Sequence, residues 1–121
     1  MNSKEIESRL KSLAIRVVKV CAALPTIRIS KVVEDQLLRS SFSAAANYRA
    51  ACRAISKRAF VSKLSIAFEE SDESLFWLEI IIELKLIEDK LLHAVINEAR
   101  ELASILAATR KKAQSSLNSA S

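Results

Sequence analysis

The sequence predicts an all-α fold, an antiparallel up-down-up-down four-helix bundle. Three observations point there. The 121 residues include no glycine and a single proline, Pro25, so the hairpin turns, bulges and phosphate-cradling loops that lean on glycine have little to build on. Apolar residues recur every three or four positions through four long segments. Breakers and capping residues divide the chain into segments of matched length.

Ser3 is positioned to cap a first helix, which Pro25 ends near Leu24. Ile6, Leu10, Leu13, Val17, Cys21 and Leu24 form its single apolar stripe. Ser30 is the expected cap of a second helix running to about Ala54, and Ser56 of a third from Lys57 to about Leu84. A fourth is expected from about Glu88 to Gln114, with Leu91, Leu92, Val95, Ala99, Leu102 and Leu106 on its apolar side. At 1.5 Å per residue, helices of about 22 to 28 residues are roughly 33 to 42 Å long. Matched lengths with short connections favour up-down-up-down packing.

Half of the residues are hydrophobic, too many for a disordered chain, and the length suffices for one domain with its own core. That domain is expected over residues 1–114. Residues 115–121, small and polar, read as a flexible tail. The opening Met1-Asn2-Ser3-Lys4-Glu5 is polar, and no apolar run approaches the roughly 20 residues that span a bilayer. The expectation is a soluble, cytoplasmic protein with no membrane contact.

The third helix departs from a simple amphipathic pattern. Leu75, Leu78 and Ile82 share one side, while Phe76, Trp77, Ile80, Ile81 and Leu84 spread around much of the rest. Asp72, Glu79 and Glu83 make the one clear acidic strip. A bundle helix needs an apolar stripe little wider than about 100°, so a second buried surface is expected. Self-association through Phe76, Trp77, Ile80 and Ile81 supplies one. A thick monomeric core, with Trp77 and Phe76 under neighbouring helices, is the other way to cover them.

The second helix aligns Lys31, Arg39, Arg49 and Arg53 in one cationic stripe opposite Val33, Leu37, Ala44, Ala45, Tyr48 and Cys52. Residues 1–63 carry 13 Lys/Arg against 4 acids, whereas residues 64–121 carry 6 against 10. Such a stripe can be a phosphate footprint, a solvated face, or the partner of acids on the third helix. In an antiparallel pair turning near residue 55, Arg39 would come close to Asp72 and Glu73. Arg9, Arg16 and Lys19 could extend the basic surface, while Arg110, Lys111 and Lys112 also suit the negative end of the last helix.

Catalytic chemistry finds little to stand on. His93 is the only histidine, so a multi-histidine metal site within one protomer is excluded. The Glu-x-x-His pairs of di-metal bundles are absent too, since Lys90 stands three before His93. Asp89 and His93, four apart, read as a surface pair. Glu69, Glu70, Asp72 and Glu73 read as ion-pairing and solvating groups rather than acid–base carboxylates. Cys21 and Cys52 have no metal-ligand spacing, and both are expected on apolar faces as small hydrophobes. No cofactor or metal is expected.

Several stretches resemble a known family: Gln36-Leu37-Leu38-Arg39-Ser40, Ala46-Asn47-Tyr48-Arg49, Phe60 with Lys63-Leu64, Glu70 through Glu79, Ala22-Ala23-Leu24-Pro25, and Glu98-Ala99-Arg100-Glu101-Leu102 with Ile105-Leu106. Their order is similar to that of the bacterial four-helix-bundle proteins known as 23S ribosomal RNA intervening-sequence proteins. The resemblance covers nearly the whole chain. It implies a four-helix bundle, and homopentamers with a central channel, as related proteins form. It also implies a gene of a kind sometimes carried inside ribosomal RNA genes. Distantly similar bundles act as accessory proteins of diversity-generating retroelements, where they bind reverse transcriptase and nucleic acid. The family brings no catalytic residues. Where it commonly has glycines, this chain has Ser41 and Ala45 in the second helix and Lys85 at the end of the third. Alanine at 45 strengthens the helix by roughly 0.5 to 1 kcal/mol over glycine.

Two functional readings follow. The first is a non-catalytic, self-associating RNA-binding or RNA-associated protein using Lys31, Arg39, Arg49 and Arg53. The second is a protein-interaction scaffold whose unidentified partner docks on the apolar or acidic strip, with no nucleic-acid contact.

Overall fold

The computed structural model describes residues 1–88 and 90–119, and these form four helices: α1 (Ser3–Ala22), α2 (Arg28–Cys52), α3 (Lys57–Glu83) and α4 (Lys90–Ser119). Among the described residues there is no strand, and no helix is long and apolar enough to cross a membrane.

Local chemistry sets the ends. The α3 start is the one the sequence predicts, with the Ser56 side chain accepting the Ala59 N–H at 3.1 Å. At α1 the cap is Asn2 rather than Ser3. Its Oδ1 accepts the Glu5 N–H at 2.9 Å, and its Nδ2 donates to the Glu5 carboxylate at 3.0 Å, a reciprocal arrangement of the capping-box kind. The second helix begins earlier than expected. Ile27 is its N-cap without a side-chain bond, and Ser30 is buried in the first turns. Proline restricts only its own φ and the residue before it, so the chain turns helical within three residues of Pro25. At the far end α4 continues to Ser119, five residues beyond the expected Gln114, because neither glycine nor proline interrupts it.

The α3 end contains the one unusual backbone conformation among the described residues, Lys85 at φ 53°. The Lys85 N–H donates to the Ile82 carbonyl and the Leu86 N–H to the Ile81 carbonyl, both at 3.0 Å. This is a Schellman closure with a lysine in the left-handed position that normally favours glycine. It is also the position where the resemblance leads one to expect glycine. Leu86 completes the motif by packing against the core.

Each helix packs on two others, α1 on α2, α2 on α3, α3 on α4 and α4 back on α1, with no close backbone approach between α1 and α3 or between α2 and α4 among the described residues. Cross-helix pairs run in the order expected of antiparallel neighbours: Arg110 meets Ser65 while Arg100 approaches Glu79. The core collects Leu10, Val17, Leu37, Leu64, Leu78, Ile81, Val95, Leu102 and Leu106, all at most 2 % exposed. Burying a side chain of this size contributes roughly 1.5 to 3 kcal/mol. The predicted α1 and α4 stripes are the buried ones, except that Leu24 and Leu91 are half-buried; on the apolar side of α2, Ala45 is half-buried and Cys52 exposed.

The α2–α3 interface is built from small residues: Ser40, Ser41, Ala44, Ala67, Ser71 and Ser74 are all buried. Ser40 and Ser74 share a hydrogen bond at 2.9 Å across it, which leaves neither hydroxyl unpaired. At the α1–α4 interface Arg9 grips Glu98 with Nε at 2.9 Å and Nη2 at 2.6 Å, and also reaches Glu101 at 3.2 Å. That bidentate hydrogen bonding holds the Glu98 carboxyl below the usual carboxylate range, against an opposing effect of burial.

Candidate interaction surfaces

The four cations of the predicted α2 stripe have different fates. Arg39 reaches across to α3, where its two terminal nitrogens meet Glu70 and Glu73, each at 2.5 Å. Glu73 is the partner antiparallel pairing anticipates; Glu70 takes the place expected for Asp72. Burial alone would raise the Glu73 carboxyl, but hydrogen bonds from Arg39 and from the Trp77 Nε1, at 3.1 Å, outweigh it and hold it low. Lys31 pairs with Asp35 one turn on, at 3.0 Å. Arg53 approaches Glu7 of α1 at 3.5 Å and donates to the Arg49 carbonyl at 3.3 Å. Arg49 is exposed and makes no ion pair among the described residues. Much of the stripe is therefore neutralised within the protomer.

The expected self-association residues also separate. Ile81 is 0 % exposed in the protomer's core, so it cannot line a surface. Helical spacing alone misplaced it, because α2 and α4 together cover a wide arc of α3. Trp77 and Ile80 are half-buried against the core, with Glu73 accepting the indole N–H. Phe76 stands out from the bundle, 49 % exposed, with its ring edge-on to Trp77 at 5.0 Å between centroids. Around it the outer side of α3 exposes Ile66, Glu69, Asp72, Glu79 and Glu83.

A surface not singled out by periodicity lies between α1 and α2. Ile15, Phe42, Ala45 and Ala46 line a cleft of about 270 Å³ edged by Glu7, Lys11 and Arg49. Ile15 and Phe42 are each about half exposed. The sequence signal was a large apolar residue on the outer side of each helix, which a core-oriented search passes over.

A second missed feature is the end of the bundle that contains the start of α1, the α2–α3 turn and the last turns of α4. Lys57 of α3 and Lys112 of α4 line one cleft there, with Phe60, Val61, Thr109, Ala113 and Ser116. Lys4 and Arg53 line another with Ser3, Glu7 and Cys52. Arg110 folds inward instead, donating to the Ser65 hydroxyl at 2.9 Å with its guanidinium 5.8 Å from the Phe68 ring centre.

His93 is exposed, beside a cleft with Ile82, Lys85, Ile87, Glu88, Lys90 and Leu92. Asp89, the neighbour considered for it, lies outside the described residues. No cluster of three or more His, Cys, Asp or Glu able to hold a metal occurs among the described residues. Cys21 is buried as expected, and burial, aided by the negative charge of Glu34, pushes its thiol up to about 12. Cys52 is exposed, contrary to expectation. It is the last residue of α2, where the neighbouring helix no longer covers its face.

The sequence model of the family described as 23S rRNA-intervening sequence protein matches residues 4–108. No curated protein matches the chain. A crystal structure of a protein of unknown function from the S23 ribosomal protein family of Bacteroides thetaiotaomicron superimposes with a TM-score of 0.78 at 30% identity, covering 88% of this chain and 98% of that one. With four helices in the same architecture and a match over most of its length, the chain belongs to the 23S rRNA-intervening sequence protein family.

Proposed function

We propose that the protein is a non-catalytic, RNA-associated bundle that works as a homo-oligomer, a pentamer on the family resemblance. The observation that carries the self-association reading is Phe76, a half-exposed aromatic on an acidic outer face that no helix of the protomer covers. The α1–α2 cleft is its complement: apolar at the centre with Ile15 and Phe42, and carrying Lys11 and Arg49 at its edges. Docking one copy's α3 into the next copy's cleft is a head-to-tail contact, the kind that closes into a ring. Cytoplasmic residence suits this reading, because Cys52 is an exposed free thiol.

Light scattering coupled to size exclusion tests it. The expected mass is a multiple of the 13.4 kDa protomer, reduced by Phe76→Ser and by Phe42→Ser alike. A protomer-sized species at all concentrations overturns it.

RNA association is supported by the net charge of +5 and by cations that have no acidic partner among the described residues. The rival, a protein partner seated on the Phe76 face, predicts that a single protein is retained by the wild type and lost with Phe76→Ser, with no salt-dependent RNA affinity.

A further inference from the structure

One end of the bundle gathers basic side chains from all four helices. Lys57 and Lys112 line a cleft of about 320 Å³ together with Phe60, Val61 and Ala113. Lys4 and Arg53 share the neighbouring cleft between α1 and α2. Arg58 and Lys111, both exposed, adjoin the first pair in sequence. The acids at this end are Glu5 and Glu7 of α1, and Glu7 already faces Arg53.

The helix dipole does not account for the cations on α3. Lys57 and Arg58 sit in the first turn of α3, which has no acidic residue. That is the positive end of the helix dipole, where a carboxylate is favoured and a cation opposed. Among the described residues none of Lys57, Arg58, Lys111 and Lys112 makes an ion pair. Cations collected from separate helices, left unneutralised and, on α3, set against a helix dipole, are arranged for an external polyanion.

We infer that this end of the bundle is a binding site for the phosphodiester backbone of RNA, with Lys57, Arg58, Lys111 and Lys112 as the phosphate contacts. This rests on the RNA-association reading and relocates its contacts from the α2 stripe, whose Lys31, Arg39 and Arg53 face carboxylates. An anionic lipid surface fits less well. Met1 and Ile55 are the large exposed apolar side chains here, far short of the apolar face that stable membrane docking requires. The contact is to phosphate and reads no base sequence.

The test is fluorescence anisotropy of labelled single-stranded and hairpin RNA over a salt series. It compares the wild-type protein, Lys57→Gln/Arg58→Gln/Lys111→Gln/Lys112→Gln, and Arg28→Gln/Lys31→Gln, two exposed cations at the other end of α2, with circular dichroism confirming helicity of each. The quadruple variant is expected to bind at least tenfold more weakly and to lose about 3 from the log–log salt slope, at roughly 0.7 to 0.9 per phosphate contact. The double variant should stay within about twofold of wild type. Equal loss in both variants, or none in the quadruple, overturns this site while leaving RNA association standing. Absence of RNA binding by the wild type at low salt overturns both, and capture by phosphatidylserine vesicles without RNA binding assigns the end to membranes instead.

Discussion

Arg39 of α2 and Glu73 of α3 meet at 2.5 Å across a helix interface that also buries several serines and alanines. The same Glu73 oxygen accepts the Trp77 indole N–H, so one carboxylate fixes a helix pair and an aromatic orientation together. Arg39 is nearly half exposed, which limits the pair to about 1 kcal/mol. Glu73→Gln should therefore destabilise by about 1 kcal/mol or less at neutral pH. The sign with pH follows from a carboxyl held below its unfolded value of about 4.3. Its stabilisation is complete above that value and is lost as pH falls through the folded pKa. Urea titrations from pH 7 down to about 3 should show the wild-type advantage over Glu73→Gln shrinking toward acid. Glu98, held low by Arg9 in the same way, should keep some acid sensitivity in the variant.

Lys85 carries a left-handed backbone at the α3 terminus. Lys85→Gly removes the Cβ conflict, worth roughly 1 to 2 kcal/mol, and gives back about 0.5 to 1 kcal/mol in unfolded-state entropy. The expected net effect is a gain of about 0.5 to 1 kcal/mol, visible as a higher urea midpoint with an unchanged slope.

Ile81 and Phe76 lie five residues apart on α3 and should differ widely in what their loss costs. Ile81→Ala opens a cavity in a fully buried site and is expected to cost about 2 to 5 kcal/mol. Phe76→Ala should cost the protomer about 1 kcal/mol or less, because half of the ring is already exposed. Chemical denaturation of both, at a concentration where each sediments as a monomer, separates core from surface.

Ser40 and Ser74 set how close α2 and α3 approach. Ser40→Ala removes the bond from Ser74 and the longer one that Ser40 donates to the Leu37 carbonyl at 3.3 Å, at a cost of about 0.5 to 1.5 kcal/mol. Ser40→Leu should cost at least about 1 to 3 kcal/mol by overpacking, so thermal melts should rank alanine well above leucine.

The cysteines should differ in reactivity. A thiol reagent at neutral pH should label Cys52 in the native state and Cys21 only after unfolding. Exposure of Cys52, and burial of Cys21 with its thiol held up near 12, are the reasons.

What was legible in the sequence follows from how local its causes are. Ser56 and Pro25 act within a few residues, so one helix start and one helix stop could be read directly. Ser30 misled because serine also serves as a small residue where helices approach closely, and here it is buried in α2. The α1 stripe from Ile6 to Cys21 was readable because one face alone is covered. Ile81 was not, because the arc of α3 covered by two neighbours depends on the whole packing. The basic end was written as Lys57-Arg58 and Arg110-Lys111-Lys112. Joining those runs requires knowing that α3 starts where α4 finishes, a topological fact that no window along the chain contains. The sequence leaves three roles open for the α2 stripe, and the structure shows Arg39 paired with Glu70 and Glu73.

The most direct measurement is the solution mass of the wild type beside Phe76→Ser, by analytical ultracentrifugation across a range of concentrations. A wild-type species of several protomers that collapses toward 13.4 kDa in the folded variant is the predicted result. A wild type that sediments as a 13.4 kDa monomer throughout, or a Phe76→Ser protein that retains the full assembly, would contradict it.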